Sequence, residues 1–207
     1  MSVVTRFAPS PTGELHLGHA YSAGIAWRRA REAGGRFLLR IEDIDIRRCR
    51  REFEASILAD LEWLGLNWDG DVRRQSEHFR DYGRVLDQLG TRDLVYPCFC
   101  SRADIAAAGS APHGPDGPLY PGTCRHLSAA ERRDRIAGGR EFCLRLDCET
   151  AAHEAGPYHF HDEGQGRVAG DPLLFGDVVI ARKDTPTSYH LAVTVDDHLQ
   201  GVTQIGR

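Results

Sequence analysis

Val3-Val-Thr-Arg-Phe-Ala8, then Pro9-Ser-Pro-Thr-Gly13, then Leu15-His-Leu-Gly-His-Ala20 is the stretch whose reading decides the fold. Residues 3–8 read as a short strand, and the proline- and glycine-rich segment after them as a turn. A helix is expected from near Gly18 to about Glu32, with Ala20, Ile25, Trp27 and Ala30 among its apolar positions. Gly34-Gly35 ends it. Residues 36–42, Arg-Phe-Leu-Leu-Arg-Ile-Glu, read as a second, largely buried strand. Strand, helix and strand in such short compass form a βαβ unit, with a parallel pair and a right-handed crossover.

Outward from this unit the chain carries two amphipathic patterns. Phe53, Ile57, Leu61 and Leu64 recur at helical spacing, as do Phe79, Tyr82, Leu86 and Leu89. Asn67-Trp-Asp-Gly70 is a turn between them. Residues 93–97 read as a third strand. Residues 108–123 hold four glycines and four prolines, the mark of an irregular insert. Residues 142–147 alternate like a strand, and 177–182 and 189–195 read as two more strands that return to a sheet. Cys143 and Cys148 then fall on opposite faces of one strand, both as small buried side chains, and Cys49 has no evident partner.

Charge and length narrow the function. Twenty-six basic against 30 acidic residues give a net charge of −4 over 207 residues. A polycation that holds nucleic acid by bulk charge is excluded, whereas a local basic patch is not. Lys183 is the only lysine. The length suits one large domain, or one domain with an insert. No signal peptide or membrane span is legible, so a cytoplasmic protein without a membrane partner is expected. In that setting the six cysteines suit metal binding or plain burial better than disulfides.

Two groups of residues carry chemistry. The first is His16-Leu-Gly-His19 at the helix mouth, where free N–H groups and the positive end of the helix dipole suit a phosphate. Two imidazoles there can follow charge that builds on a phosphoryl group, and Gly18 leaves room for a nucleotide. By spacing alone the motif could equally be a helix start that happens to carry two histidines. Ligands of open parallel sheets bind beyond the carboxyl ends of the strands. That rule gathers Arg6, Ser10, His16, His19 and Glu42 at one sheet edge. The second group is Cys98-Phe-Cys100 followed by Tyr120, Cys124 and His126, a spacing that suggests a tetrahedral zinc site in an insert with little apolar core of its own. General chemistry favours His126 over Tyr120 as the fourth ligand, since tyrosine seldom binds zinc. His159-Phe-His-Asp-Glu163 reads as a polar strand end rather than a second metal site. Arg47, Arg48, Arg50 and Arg51 read as a solvated helix start rather than a nucleic-acid phosphate contact.

Arg6-Phe-Ala-Pro-Ser-Pro-Thr-Gly-Glu-Leu-His-Leu-Gly-His19 resembles the first signature of class I glutamyl-tRNA synthetases. Leu39-Arg-Ile-Glu-Asp-Ile-Asp45 resembles their second block, and the run from Ser188 to Arg207 a third. The nearest resemblance is to the short paralogous family, the glutamyl-queuosine tRNA(Asp) synthetases. It implies a Rossmann-type α/β catalytic domain with a parallel sheet and a zinc-stabilised insert. It also implies ATP-dependent, tRNA-independent activation of glutamate, with transfer to the queuosine at the wobble position of tRNA(Asp). Magnesium accompanies the ATP, zinc is structural, and a monomer is expected. By the resemblance His16, Gly18 and His19 are catalytic, while Arg6, Ala8, Ser10, Glu42, Tyr189 and Arg207 bind glutamate. Physically, arginines clamp carboxylates through bidentate pairs, and Glu42 can take the ammonium. The paralogue's Tyr-x-x-x-Cys pattern favours Cys98, Cys100, Tyr120 and Cys124 as zinc ligands, whereas some translation-type enzymes carry Cys-x-His, which matches Cys124 and His126. Asp196-Asp-His198 would follow a core strand in a positioning role.

The implied division is 1–97 as the first half of the nucleotide-binding domain, 98–126 as the zinc insert, and 127–207 as insert continuation and return to the sheet. Two departures stand out. Val193 replaces a polar amide found in translation-type enzymes, which favours the queuosine-modifying reading. The lysine-containing loop that holds the ATP triphosphate has no counterpart up to Arg207, and Lys183 lies in the wrong context. As given, the chain is expected to activate glutamate weakly or not at all. The alternatives are the N-terminal part of a conventional glutamyl-tRNA synthetase, or a zinc-containing binding module without catalysis.

Overall fold

A computed structural model describes residues 2–107, 113–114 and 117–206. In chain order the elements are β1 (Val4–Phe7), α1 (Leu17–Glu32), β2 (Arg36–Ile41), α2 (Arg51–Trp63), β3 (Arg73–Arg74), a 3-10 turn (Gln75–Glu77), α3 (Phe79–Thr91), β4 (Val95–Cys98), α4 (Arg102–Ala107), β5 (His113–Gly114), β6 (Gly117–Pro118), α5 (Ala129–Ala137), β7 (Cys143–Leu146), α6 (Cys148–Ala155), β8 (His159–Asp162), β9 (Gly166–Ala169), β10 (Val179–Ala181) and α7 (Tyr189–Gln200). They fall into two compact units, residues 1–82 with 192–207, and residues 83–191.

The first unit is built on a parallel sheet in the order β1-β2-β3. Arg6 lies opposite Leu38, and Arg40 opposite Arg73. Side chains alternate along β2. Phe37, Leu39 and Ile41 are fully buried in one cluster with Ala23, Ala26 and Ala30 of α1 and Ile57 and Leu61 of α2. The three alanines, spaced for one helix face, let α1 lie close on the sheet, and Thr5 anchors it by donating its hydroxyl to the Ala26 carbonyl at 2.8 Å. Burying each of the large β2 side chains contributes about 1.5–3 kcal/mol. Leu38 and Arg40 belong to the opposite set of the alternation, and Arg40 bonds residues of α7 from there.

α1 stops at a glycine pair for a visible reason. Gly34 takes φ +61°, and a Cβ on Gly35 would stand 2.0 Å from the Val3 carbonyl oxygen. That close approach lets the Arg36 N–H reach the same carbonyl at 2.9 Å and start β2 in register.

The second unit has an antiparallel sheet, β10-β7-β4, and two hairpins, β5–β6 and β8–β9. Its apolar centre is Tyr96, Cys98, Phe99, Cys124 and Cys143. α5 begins with a capping box, in which Ser128 and Glu131 satisfy each other's backbone N–H groups. Asp147 caps α6 by accepting from the Thr150 N–H at 3.0 Å.

The βαβ unit and both amphipathic helices lie where the sequence reading puts them. Three expectations are corrected. Residues 189–195 are not a strand but the start of α7: Leu191, Ala192, Val195 and Asp196 are buried at helical spacing, which outweighs the β-branched run Val193-Thr-Val195. The strand at 179–181, expected to return to the βαβ sheet, instead pairs with 143–146, which pairs with 95–98, and the third strand of the parallel sheet is the unanticipated β3. Cys148 is buried as expected, but it opens α6 rather than continuing a strand with Cys143. The Gly/Pro-rich segment falls partly outside the described residues. No helix among the described residues is long and apolar enough to cross a membrane.

Candidate active site and cysteine cluster

The carboxyl end of β1 opens into a cleft of about 400 Å³. Arg6, Ala8 and Ser10 line it from the strand and the turn after it, and His19 lines it from the first turn of α1. Glu42, just past β2, is buried next to this wall, and its N–H donates to the carbonyl of Pro9, a lining residue, at 2.9 Å. Tyr189 is exposed in the first turn of α7 and belongs to the second unit. Arg207 lies outside the described residues.

The two histidines hold each other at the helix mouth. His16 is the N-cap, with its ring accepting from the Gly18 N–H at 3.1 Å. His19 returns the contact by accepting from the His16 N–H at 3.2 Å. The rings stack with centroids 3.8 Å apart. Burial, then the neighbouring His16, lowers the His19 imidazole below its ordinary value. A Cβ on Gly18 would stand 3.0 Å from His16 Cε1, so a side chain here would press on the ring where it folds back on the helix. Gly18 thus serves the histidine pair, a role that its place in the motif does not show.

Glu42 is gripped rather than free. Arg40 is fully buried and donates to Glu42 Oε1 at 3.1 Å and to Asp197 Oδ1 at 2.7 Å. Burial pushes the Glu42 carboxyl up, against the pull of Arg40. Arg6 donates from Nε and Nη2 to Asp197 at 3.2 and 3.4 Å. The neighbouring Asp196, also fully buried, accepts from Arg73 Nε at 2.7 Å and from Gln75 and Tyr82 at 2.9 Å each. Arg40 escaped the sequence reading. Its one signal was a lone charge inside an otherwise apolar strand.

In the second unit the Sγ atoms of Cys98, Cys100 and Cys124 lie within 4.8 Å of one another, the one potential metal-holding group of acidic, cysteine or histidine side chains found among the described residues. Cys100 and Cys124 are 3.6 Å apart. Tetrahedral zinc with bonds of about 2.3 Å would set sulfurs about 3.8 Å apart, so three thiolates here fit such an ion. The Tyr120 hydroxyl is 4.0 Å from Cys100 Sγ and accepts from the Cys124 N–H at 2.7 Å. His126 is exposed and outside the group. The Arg145 guanidinium lies 3.9 Å from the Tyr120 ring centroid. Hydrogen bonding, first from Cys143, outweighs burial and pulls the Cys98 thiol down to about 4. His159 and His161 sit on the β8–β9 hairpin, away from any such group.

Comparison with known proteins is consistent across the chain. Residues 2–207 match the family model described as tRNA synthetases class I (E and Q), catalytic domain. A glutamyl-Q tRNA(Asp) synthetase from Rhodobacter capsulatus is 48% identical over 99% of this chain and 76% of its own length. One from Symbiobacterium thermophilum is also 48% identical, over 98% of this chain and 64% of its own length. Among solved structures, a glutamate tRNA ligase from Elizabethkingia meningosepticum, in complex with its amino acid, superposes with a TM-score of 0.79 at 27% identity. It covers 99% of this chain, which spans 43% of that one.

Proposed function

The chain belongs to the family of class I tRNA synthetase catalytic domains for glutamate and glutamine, and from that premise we propose that it activates glutamate with ATP and passes it to the queuosine of tRNA(Asp). The observation that carries this reading is the cleft at the end of β1, where a cation, a hydroxyl and an imidazole meet beside a buried carboxylate. Free glutamate brings two carboxylates and an ammonium. Arg6 suits a carboxylate, and Glu42 suits the ammonium. One carboxylate oxygen of glutamate attacks the α-phosphorus of ATP, giving glutamyl-adenylate and pyrophosphate. His16, His19 and the N–H groups at the start of α1 stabilise the charge that develops there. No enzyme nucleophile is required, because the work is positioning and electrostatics. Ala8 and Ser10 shape the cleft; Tyr189 and Arg207 are assigned to glutamate by the family resemblance alone.

Zinc held by Cys98, Cys100, Cys124 and Tyr120 would cross-link the segment between β4 and α5 and supply it with a structural centre. Tyr120 is preferred to His126 because its hydroxyl stands beside the sulfurs.

The 48% identity to two glutamyl-Q tRNA(Asp) synthetases supports this acceptor over an unmodified tRNA 3′ end. The test is transfer of labelled glutamate by the full-length protein. Queuosine-containing tRNA(Asp) should be loaded, and tRNA(Glu) or tRNA(Asp) lacking queuosine should not. Loading of tRNA(Glu) would favour a conventional glutamyl-tRNA synthetase.

A further inference from the structure

A guanidinium with no exposure, in the middle of a sheet, needs a reason. Arg40 donates to three acceptors at once: Asp197 Oδ1 at 2.7 Å, Gln200 Oε1 at 3.0 Å and Glu42 Oε1 at 3.1 Å. Asp197 is shared, because it also accepts from both Nε and Nη2 of Arg6. The result is a chain of alternating charge, Arg6–Asp197–Arg40–Glu42, running from the wall of the cleft through the buried interior and back to the residue beside that wall. Its two ends are the groups proposed to take opposite charges of the substrate.

The geometry at Arg6 is specific. Asp197 occupies the side edge of the guanidinium, formed by Nε and one Nη2 proton. That leaves the end-on fork of Nη1 and Nη2 for a ligand carboxylate. Without Asp197 the guanidinium could turn and offer either edge. Arg40 then fixes Asp197 and Glu42 relative to each other. A lysine would supply the charge but not a planar fork that spans separate acceptors.

We infer that Asp197 and Arg40 are positioning residues of the amino-acid site: Asp197 sets the edge that Arg6 presents, and Arg40 ties that setting to Glu42. The two recognition groups are thereby fixed before a ligand arrives, which lowers the cost of binding. The inference rests on the reading of the cleft as a glutamate site.

The experiment is glutamate titration by calorimetry of the full-length protein and four variants, Arg6→Ala, Asp197→Asn, Arg40→Lys and the double variant Arg6→Ala/Asp197→Asn, with urea unfolding of each. Asp197→Asn keeps an acceptor oxygen, and Arg40→Lys keeps the buried charge, so two independent routes test the idea if one variant folds poorly. Asp197→Asn and Arg40→Lys should each weaken glutamate binding at least tenfold while ATP binding changes less than twofold. In the Arg6→Ala background, Asp197→Asn should cost less than a further twofold, because it acts through Arg6. A merely structural residue would instead lower stability and weaken both ligands, with effects that multiply in the double variant, and that result overturns the inference. Wild-type affinity in Asp197→Asn and Arg40→Lys, with loss in Arg6→Ala, would also overturn it while leaving the glutamate site standing. Absence of glutamate binding by the wild-type protein would remove the glutamate site itself and this inference with it.

Discussion

Replacing Asp196 tests how the first unit holds its buried charges. Its carboxylate is fully buried and accepts from Arg73, Gln75 and Tyr82, with Arg40 Nε a further 3.9 Å away. In Asp196→Ala three donors lose their acceptor together. Arg73 keeps Asp81 at 2.9 Å, so its loss is partial. Breaking a buried ion pair from one side costs about 3–5 kcal/mol, a large share of a typical total of about 5–15 kcal/mol. Asp196→Asn is gentler for a reason visible in the structure. Gln75 Oε1 is buried with no hydrogen-bond partner, so a flipped Gln75 amide can accept from the new NH₂ group. The remaining oxygen still serves Arg73, and the second NH₂ hydrogen meets the Tyr82 hydroxyl, which turns from donor to acceptor, so the losses are the Tyr82 O–H bond and the charge-assisted part of the Arg73 bond. An expected cost of about 1.5–3 kcal/mol follows. Urea unfolding, followed by far-UV circular dichroism, measures both variants. A cost for Asp196→Ala below about 1.5 kcal/mol, on the scale of a single neutral hydrogen bond, would refute the reasoning. So would an alanine variant no less stable than the asparagine one.

Further outcomes are expected elsewhere. Asp69 accepts from the Phe37 N–H and from Arg31, at 2.8 and 2.7 Å; burial raises its carboxyl, but these two partners outweigh it and hold it below the ordinary range. A folded value below the unfolded one means stability present above the unfolded value and lost as pH falls through the folded value. Asp69→Asn should therefore cost about 1 kcal/mol at pH 7, discounted for its partial exposure, and the gap to wild type should close below about pH 4 in thermal melts. Gly18→Ala adds a Cβ that crowds His16 in a helix that otherwise favours alanine by about 1 kcal/mol. Its melting temperature should hold or rise while glutamate-dependent pyrophosphate exchange by the full-length protein falls at least tenfold; undiminished exchange would clear Gly18 of any role in the site. Metal analysis should find one zinc per chain, lost in a Cys98→Ser/Cys124→Ser variant, weakened at least tenfold in Tyr120→Phe and unchanged in His126→Ala, with the reverse order pointing to His126.

What could be read from the sequence followed from local rules. The turn at 9–13, the glycine pair at 34–35 and the alternation around Phe37, Leu39 and Ile41 are sufficient for a βαβ unit, and that unit is present. α7 was misread because Val193-Thr-Val195 is a strong strand signal over three residues. Its helical pattern is completed by Asp196, a charged residue that only its distant partners make fit for burial. Arg40 was missed for the same reason. Its acceptor on Asp197 is 157 residues away in sequence, and no spacing rule links the two. The capping box at Ser128 and Glu131, by contrast, is a local signal, a serine followed three residues later by a glutamate. Local patterns thus reported the elements, while the buried charges that join them depended on long-range pairing.

The stacked histidines at the mouth of α1 change how mutants of the signature must be interpreted. Because each ring satisfies an N–H near the helix start, removing either one frays the helix as well as deleting an imidazole. An inactive alanine variant at position 16 would then mix two causes in one number. His16→Ser separates them: the hydroxyl can still close the helix end, but it cannot carry a proton or follow a phosphate as imidazole does. The difference between the serine and alanine variants reports the helix, and the difference between serine and wild type reports the chemistry.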